Sequence, residues 1–218
     1  MNTRALRAIF GIGALTLFAL LPLRAGAEAF VDARAGAMGW GLGWGLDVGV
    51  NATDNVDVRF NFAYSDRDWD QTYDNVDYRG DYKHRSVSGL VDWRPMSGVF
   101  HLTFGLLYAD KNDLDLTATG NLTINGNPYP NATINGRMEY DRDWGPYVGV
   151  GWGNMGHKDK GFMWTADLGA AFLGAVSVHL TSSTVSDTDL RAEEQQIEDD
   201  LRFLRWVPMV SAAVGWRF

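Results

Sequence analysis

The chain has 218 residues, a formal net charge of −8, 46% hydrophobic residues, 25 Gly, 9 Trp, 11 Phe and no Cys. An acidic chain is a poor nucleic-acid binder, and the lack of cysteine excludes disulfide staples and thiolate metal sites. The length suits one domain, and the slightly negative mean hydropathy of −0.18 excludes a bundle of membrane helices.

Residues 1–27 read as a secretory signal peptide. Arg4 and Arg7 make a positive start, Ile9 to Leu23 a short apolar core, and Ala25-Gly26-Ala27 a small-residue cleavage site. The apolar run is short of the ~20 residues a spanning helix needs. The leader carries three Arg and no acid, so residues 28–218 hold 16 basic against 27 acidic residues, a net charge near −11.

From Val31 the chain alternates. A strand sends successive side chains to opposite faces. Val31, Ala33, Ala35 and Ala37 make one row of a first strand. Leu42, Trp44, Leu46, Val48 and Val50 alternate with Gly43, Gly45, Asp47 and Gly49 in a second. Val56, Val58, Phe60, Phe62 and Tyr64 alternate with Asp57, Arg59, Asn61 and Ala63 in a third. The fourth runs from about Tyr82 to Arg94. The fifth sets Phe100, Leu102, Phe104, Leu106 and Tyr108 against His101, Thr103 and Gly105. The sixth is expected from about Met138 to Trp152 and the seventh from Phe162 to His179. The last is Trp206 to Phe218, apolar on one face and ending on an aromatic.

The connections alternate in length. Turns are expected at 52–55, 95–98 and 154–160, and long loops at 66–81, 110–137 and 180–203. Asn125-Gly126 signals a hairpin inside the second loop. Asp187 or Asp189 is placed to cap a short helix through A-E-E-Q-Q-I-E-D-D-L. Short turns at one end and long loops at the other mark an outer-membrane barrel with both termini in the periplasm. The expected fold is therefore all-β: an eight-stranded, antiparallel, up-and-down transmembrane barrel over residues 28–218.

A soluble eight-stranded barrel would put the bulky row inside. Its exposed row would then be rich in glycine, which weakens exposed strands. With the bulky row toward lipid, both rows make sense. Tryptophans near strand ends, such as Trp44, Trp93, Trp144, Trp152, Trp164, Trp206 and Trp216, become interfacial girdles.

Several strings in order resemble the CarO-type outer-membrane proteins, ornithine-uptake porins. They are A-R-A-G (33–36), W-R-P (93–95), L-T-I-N-G-N-P-Y (122–129), G-P-Y-V-G-V-G-W (145–152), V-H-L-T (178–181) and W-V-P-M-V-S-A-A-V-G-W-R-F (206–218). The likeness spans the mature chain and loosens in loop 66–81 and in the acidic stretch before the last strand. It implies a monomeric eight-stranded barrel that passes small solutes, notably basic amino acids such as ornithine, and is linked to carbapenem entry. A barrel this small has a lumen nearly filled by side chains, so the implied transport is narrow and slow.

Parity places Asp32, Arg34, Asp47, Asp57, Arg59, Asp92, His101, Glu139, Asp141, Asp143, Asp167 and His179 toward the lumen or its mouth. Eight acids against two arginines would favour cationic solutes. Glu139, Asp141 and Asp143 are the candidate solute binders at the outer mouth. Arg34, Asp47, Asp57 and Arg59 are the candidate plug, with Asp57 against Arg59. Trp216 and Phe218 are the expected assembly signal for the barrel-assembly machinery. The other expected partners are outer-membrane lipids, lipopolysaccharide and small cationic solutes. No cofactor and no metal site are expected, since four scattered His without Cys do not make a ligand set.

Two alternatives stay open. One is a structural or adhesive barrel with a closed lumen, its aromatic and acidic loops being the functional part. The other is a lipid A-modifying barrel enzyme using Ser177 and His179, or His84. Ser177 and His179 lie ~7 Å apart along one strand face, and no third group is evident, so the chain is read as not an enzyme.

Overall fold

The computed structural model describes residues 28–155 and 160–218, together with every side chain among them except that of Lys111. The expected signal peptide and His157 lie outside the described residues.

The described residues form ten strands: β1 Ala29–Met38, β2 Gly41–Thr53, β3 Val56–Tyr73, β4 Val76–Trp93, β5 Phe100–Ile124, β6 Asn127–Tyr140, β7 Trp144–Gly153, β8 Gly161–Phe172, β9 Val176–Thr181 and β10 Trp206–Arg217. Helix α1 covers Asp187–Asp200, and a 3₁₀ turn covers Arg202–Arg205. Eight of the strands close a ring in the order β1-β2-β3-β4-β5-β7-β8-β10. Every pairing is antiparallel, and β10 returns to β1 with Val31 opposite Trp216 and Ala37 opposite Val210. Closure leaves the ring with no exposed strand edge.

The wall sorts its side chains by parity, as expected. Leu42, Trp44, Leu46, Val48, Val91, Phe104, Leu106, Val148, Leu168, Val210 and Val214 are exposed on the outside. Asp32, Arg34, Asp47, Asp57, Arg59, Asp92, His101 and Asp167 are buried inside. Aromatics ring both ends of the apolar band. Trp44 stands beside Tyr64, Tyr108 beside Trp144, and Phe172 beside Trp206 at one end. Trp93, Phe100 with Trp152, and Phe162 with Trp216 mark the other. An apolar outer band between aromatic girdles is what a bilayer selects.

Four expected boundaries change. Segment 66–81 is not a loop. β3 and β4 continue through it in register to Tyr73–Val76, closed by Asp74 and Asn75 with φ of 49° and 61°. Two positive φ values in a two-residue turn match the twist of the hairpin. Segment 110–137 is likewise a hairpin of β5 and β6, turning at Asn125-Gly126 as expected.

The expected sixth and seventh strands each break in two. β5 pairs with β7 over Phe100–Tyr108 and with β6 over Leu114–Ile124. The chain therefore breaks at Asp141–Asp143 and resumes alongside the same neighbour, β5, where the Ala109 N–H donates to the Asp143 carbonyl at 2.6 Å. β8 stops at Phe172, Gly174 adopts a φ of 85°, and β9 pairs with β6 instead of the wall.

These departures build a lobe, at the end of the ring away from the chain termini, of extended β3, β4 and β5 with β6, β9 and α1. It has its own core of Val76, Leu122, Ile124, Ala132, Ile134, Val185 and Leu190. Ser186, rather than Asp187 or Asp189, is the N-cap of α1, accepting from the Asp189 N–H. Glu194 and Glu198, one helical turn apart, accept the N–H groups of Leu180 and Val178 at 2.6 and 2.9 Å. The helix thus satisfies the free edge of β9.

Candidate functional site

The interior of the wall is a charge network to which all eight ring strands contribute. Arg34 on β1 donates to Asp47 on β2 (2.6 Å) and to Asp167 on β8 (2.5 Å). It also donates to Ser211 on β10 at 2.7 Å. Arg59 on β3 reaches Asp47 at 2.9 Å, Asp92 on β4 at 2.7 Å and Asp167 at 3.3 Å. β5 supplies His101, whose Nε2 lies 2.8 Å from Asp167, and Thr103, which donates to Asp92 at 2.6 Å. β7 contributes by yielding space: a Cβ at Gly151 would collide with His101 Nε2 and Asp167 Oδ1.

β3 and β8 stand on opposite sides of the ring. The Arg59–Asp167 ion pair therefore crosses the full width of the lumen. Both guanidinium groups are buried among these carboxylates, Arg59 being 1% exposed and Arg34 7%. Burying these charges is costly unless each is paired, and every arginine here meets at least two carboxylates.

A second layer lies toward the chain termini. Arg94 donates to Asp57, and Asn51 also donates to Asp57. Arg217 donates to the Asn154 carbonyl at 2.8 Å. Asp57 is thus held by Arg94 and not by Arg59, because Arg59 leans toward the three acids of the first layer. Asp32 is 2% exposed, sits opposite Asp47 in the ladder, and has no hydrogen-bond partner on either oxygen among the described residues.

The expected acidic passage is corrected on two counts. Glu139, Asp141 and Asp143 are exposed, on β6 or in the break after it, and do not line the lumen. His179 is exposed on the lobe, 3.5 Å from Glu194. The break at residues 173–175 reverses parity, so Val176 and Val178 are buried where Ser177 and His179 are expected. Ser177 donates to Asp141 at 3.0 Å and makes no pair with His179. Meanwhile Arg94 and Arg217 join the interior. Five buried carboxylates (Asp32, Asp47, Asp57, Asp92 and Asp167) thus face four buried arginines and His101. The lumen is close to charge-balanced.

Arg94 could have been found, since it shares parity with Asp92. It stands at the very end of the expected fourth strand, next to the turn at 95–98, and is not among the residues expected inside. Asn61, which donates to Asp47, and Ser211 share the inward rows without carrying charge.

Above the plug lies a cavity of about 40 Å³, lined in part by Arg34, Arg59, Asn61, Ser86, Leu107 and Met209. The lobe beyond it is tied together by Asp189. This carboxylate accepts from Tyr129 (2.5 Å), Asn125 (2.9 Å) and Asn127 (3.0 Å). Those bonds, the Tyr129 hydroxyl first, pull its pKa down to about 2.

Closed ring, lipid-facing band and folded lobe define an outer-membrane β-barrel. No family model and no curated protein sequence matches the chain. Among solved structures it is similar to CarO of Acinetobacter baumannii, with 24% identity, a TM-score of 0.64, and coverage of 86% of this chain and 97% of that one. It is likewise similar to Acinetobacter baumannii CarO2, with 22% identity, a TM-score of 0.65 and coverage of 88% and 99%. The fold is the CarO-type fold that the sequence motifs imply.

Proposed function

We propose that the chain is a closed-lumen outer-membrane barrel that acts through its outer lobe, as a structural or adhesive surface element. The observation that carries this reading is the Arg59–Asp167 pair spanning opposite walls within a charge-balanced network. A cation entering from outside meets arginines as well as acids, so the interior offers it no net attraction. The lobe differs. Asp66, Asp68, Asp70, Asp74, Glu139, Asp141 and Asp143 are exposed on it and around it. An acidic, rigid surface suits cationic partners or the divalent ions that bridge lipopolysaccharide phosphates. On this reading the termini are periplasmic, Trp216 and Phe218 serve the assembly machinery, and the barrel works as a monomer among outer-membrane lipids.

The second reading is narrow facilitation of basic amino acids such as ornithine. The CarO-type fold and the cavity above the plug favour it. It requires the plug to part during passage.

Uptake into vesicles separates the two. Purified barrel in liposomes is loaded with labelled ornithine, arginine or glutamate outside. The closed-lumen reading expects uptake equal to empty vesicles for all three. Uptake of ornithine and arginine above glutamate would replace it with the transport reading.

A further inference from the structure

The outer end of the lumen holds a buried polar cluster that the plug does not use. His84 and Ser86 stand two residues apart on β4, so both face inward. His84 Nε2 lies 2.9 Å from Ser86 Oγ, and Nδ1 lies 3.3 Å from Asn112 Oδ1 on β5. The three residues are 1%, 3% and 7% exposed.

The geometry selects the tautomer. A carboxamide oxygen only accepts, so Nδ1 carries the proton. Nε2 then presents a lone pair, and the Ser86 hydroxyl donates to it. Nucleophile, base and orienting group thus stand in the order that acyl-transfer chemistry uses. Tyr82 stacks on the imidazole, with ring centroids 6.3 Å apart and planes 19° apart, and its hydroxyl is anchored on the Met38 carbonyl. The β4–β5 register slips between Arg85 and Ser86. A bulge at this point re-aims Ser86 relative to the β5 residues that face it.

Ser86 opens onto the cavity of about 40 Å³ whose lining also includes the positively charged residues Arg34 and Arg59. Positive charge facing a nucleophile favours a developing oxyanion. So small a space admits a short acyl group and no long chain.

We propose that Ser86, His84 and Asn112 form an acyl-transfer site at the outer mouth of the barrel, for small carboxylic esters. Ser86 Oγ attacks the acyl carbon while its proton passes to His84 Nε2. The bond from acyl carbon to leaving oxygen breaks, and the leaving alkoxide takes that proton. Water, deprotonated by the same imidazole, then releases the acid from Ser86. Asn112 is a positioning residue that holds the ring.

The test uses the folded mature barrel in detergent micelles. The probes are methanesulfonyl fluoride, whose S–F bond is exchanged for an Oγ–S bond, and p-nitrophenyl acetate. The expected results are one methanesulfonyl group mapped by mass spectrometry to Ser86, and ester turnover lost in Ser86→Ala. His84→Gln is expected to slow both reactions by on the order of 10²-fold. Asn112→Asp is expected to shift the acid limb of the pH–rate profile upward, because a carboxylate favours the imidazolium. A purely structural Asn112 would leave that limb in place. Heat-dependent gel mobility reports folding of each variant, and Ser86→Cys, tested with iodoacetamide, replaces any Ser86→Ala that does not fold. A folded wild type that acquires no group on Ser86, or His84→Gln labelled at the wild-type rate, overturns the proposal.

Discussion

β5 passes through two environments, and its halves behave differently. From Phe100 to Tyr108 it is a barrel stave, with Phe104 and Leu106 exposed outward and His101 and Thr103 buried in the plug. From Leu114 to Ile124 it is part of the lobe, pairing with β6 and packing Leu122 and Ile124 into a separate core. The backbone ladder is continuous, yet the two halves are stabilised differently. The stave relies on lipid outside and ion pairs inside. The lobe relies on a small apolar core in water and on polar ties from Asp189, Glu194 and Glu198. The lesson is that plug and lobe should respond separately to mutation.

The largest expected effect breaks the plug. Arg59→Ala strands Asp47, Asp92 and Asp167 without one of their cations, and removing one partner of a buried pair costs about 3–5 kcal/mol. The unfolding temperature of the ring, read from heat-dependent gel mobility, should fall sharply, while protease resistance of the lobe at low temperature should not. Loss of both together would erase the distinction between the halves.

Deleting Phe218 comes next. Its N–H closes the ring by donating to the Ala29 carbonyl at 2.9 Å, and its side chain is exposed at the strand end. The expected result is poor outer-membrane insertion in cells with little change in stability once refolded in detergent. Normal insertion would remove its role as an assembly signal.

Asp189→Ala probes the other half. It should expose the Asn125-Gly126 hairpin to proteolysis and leave the ring's unfolding temperature unchanged. Acid should do the same to the wild type. The Asp189 pKa is depressed from 3.8 to about 2, so the docking it supports is present above about 3.8 and lost as pH falls through about 2. Hydrogen exchange at the hairpin amides between pH 4 and 2 would track it, and exchange independent of pH-driven opening would contradict it.

The smallest effect concerns Asp32. It is buried opposite Asp47 without a hydrogen-bond partner among the described residues, so Asp32→Asn should hold or slightly raise the unfolding temperature. A clear drop would mean that the carboxylate is held by something inside the lumen.

The sequence made the barrel half legible and obscured the lobe, for a physical reason. Where one face meets lipid and the other a narrow lumen, alternation is forced, and Leu42 to Val50 or Val56 to Tyr64 can be read directly. Above the membrane both faces of β3 meet water. Asp66 to Tyr73 therefore shows polar residues on both faces and reads as loop, although Asp74-Asn75 closes it as a hairpin. The breaks at Asp141–Asp143 and at 173–175 carry almost no local signal, because the strands on either side keep an apolar alternation. Those breaks misplaced Glu139, Asp141, Asp143 and His179. In the plug, parity found Arg34, Asp47, Arg59, Asp92, His101 and Asp167. It could not say that Arg59 reaches across the ring, since that depends on ring closure and on space opposite Gly151.

Single-channel conductance in planar bilayers tests the closed lumen most directly. The wild type should insert without steady current, and the double variant Arg34→Ala/Arg59→Ala should open stable steps of conductance. Steady conductance from the wild type, unchanged by removing both arginines, would contradict a lumen closed by this plug.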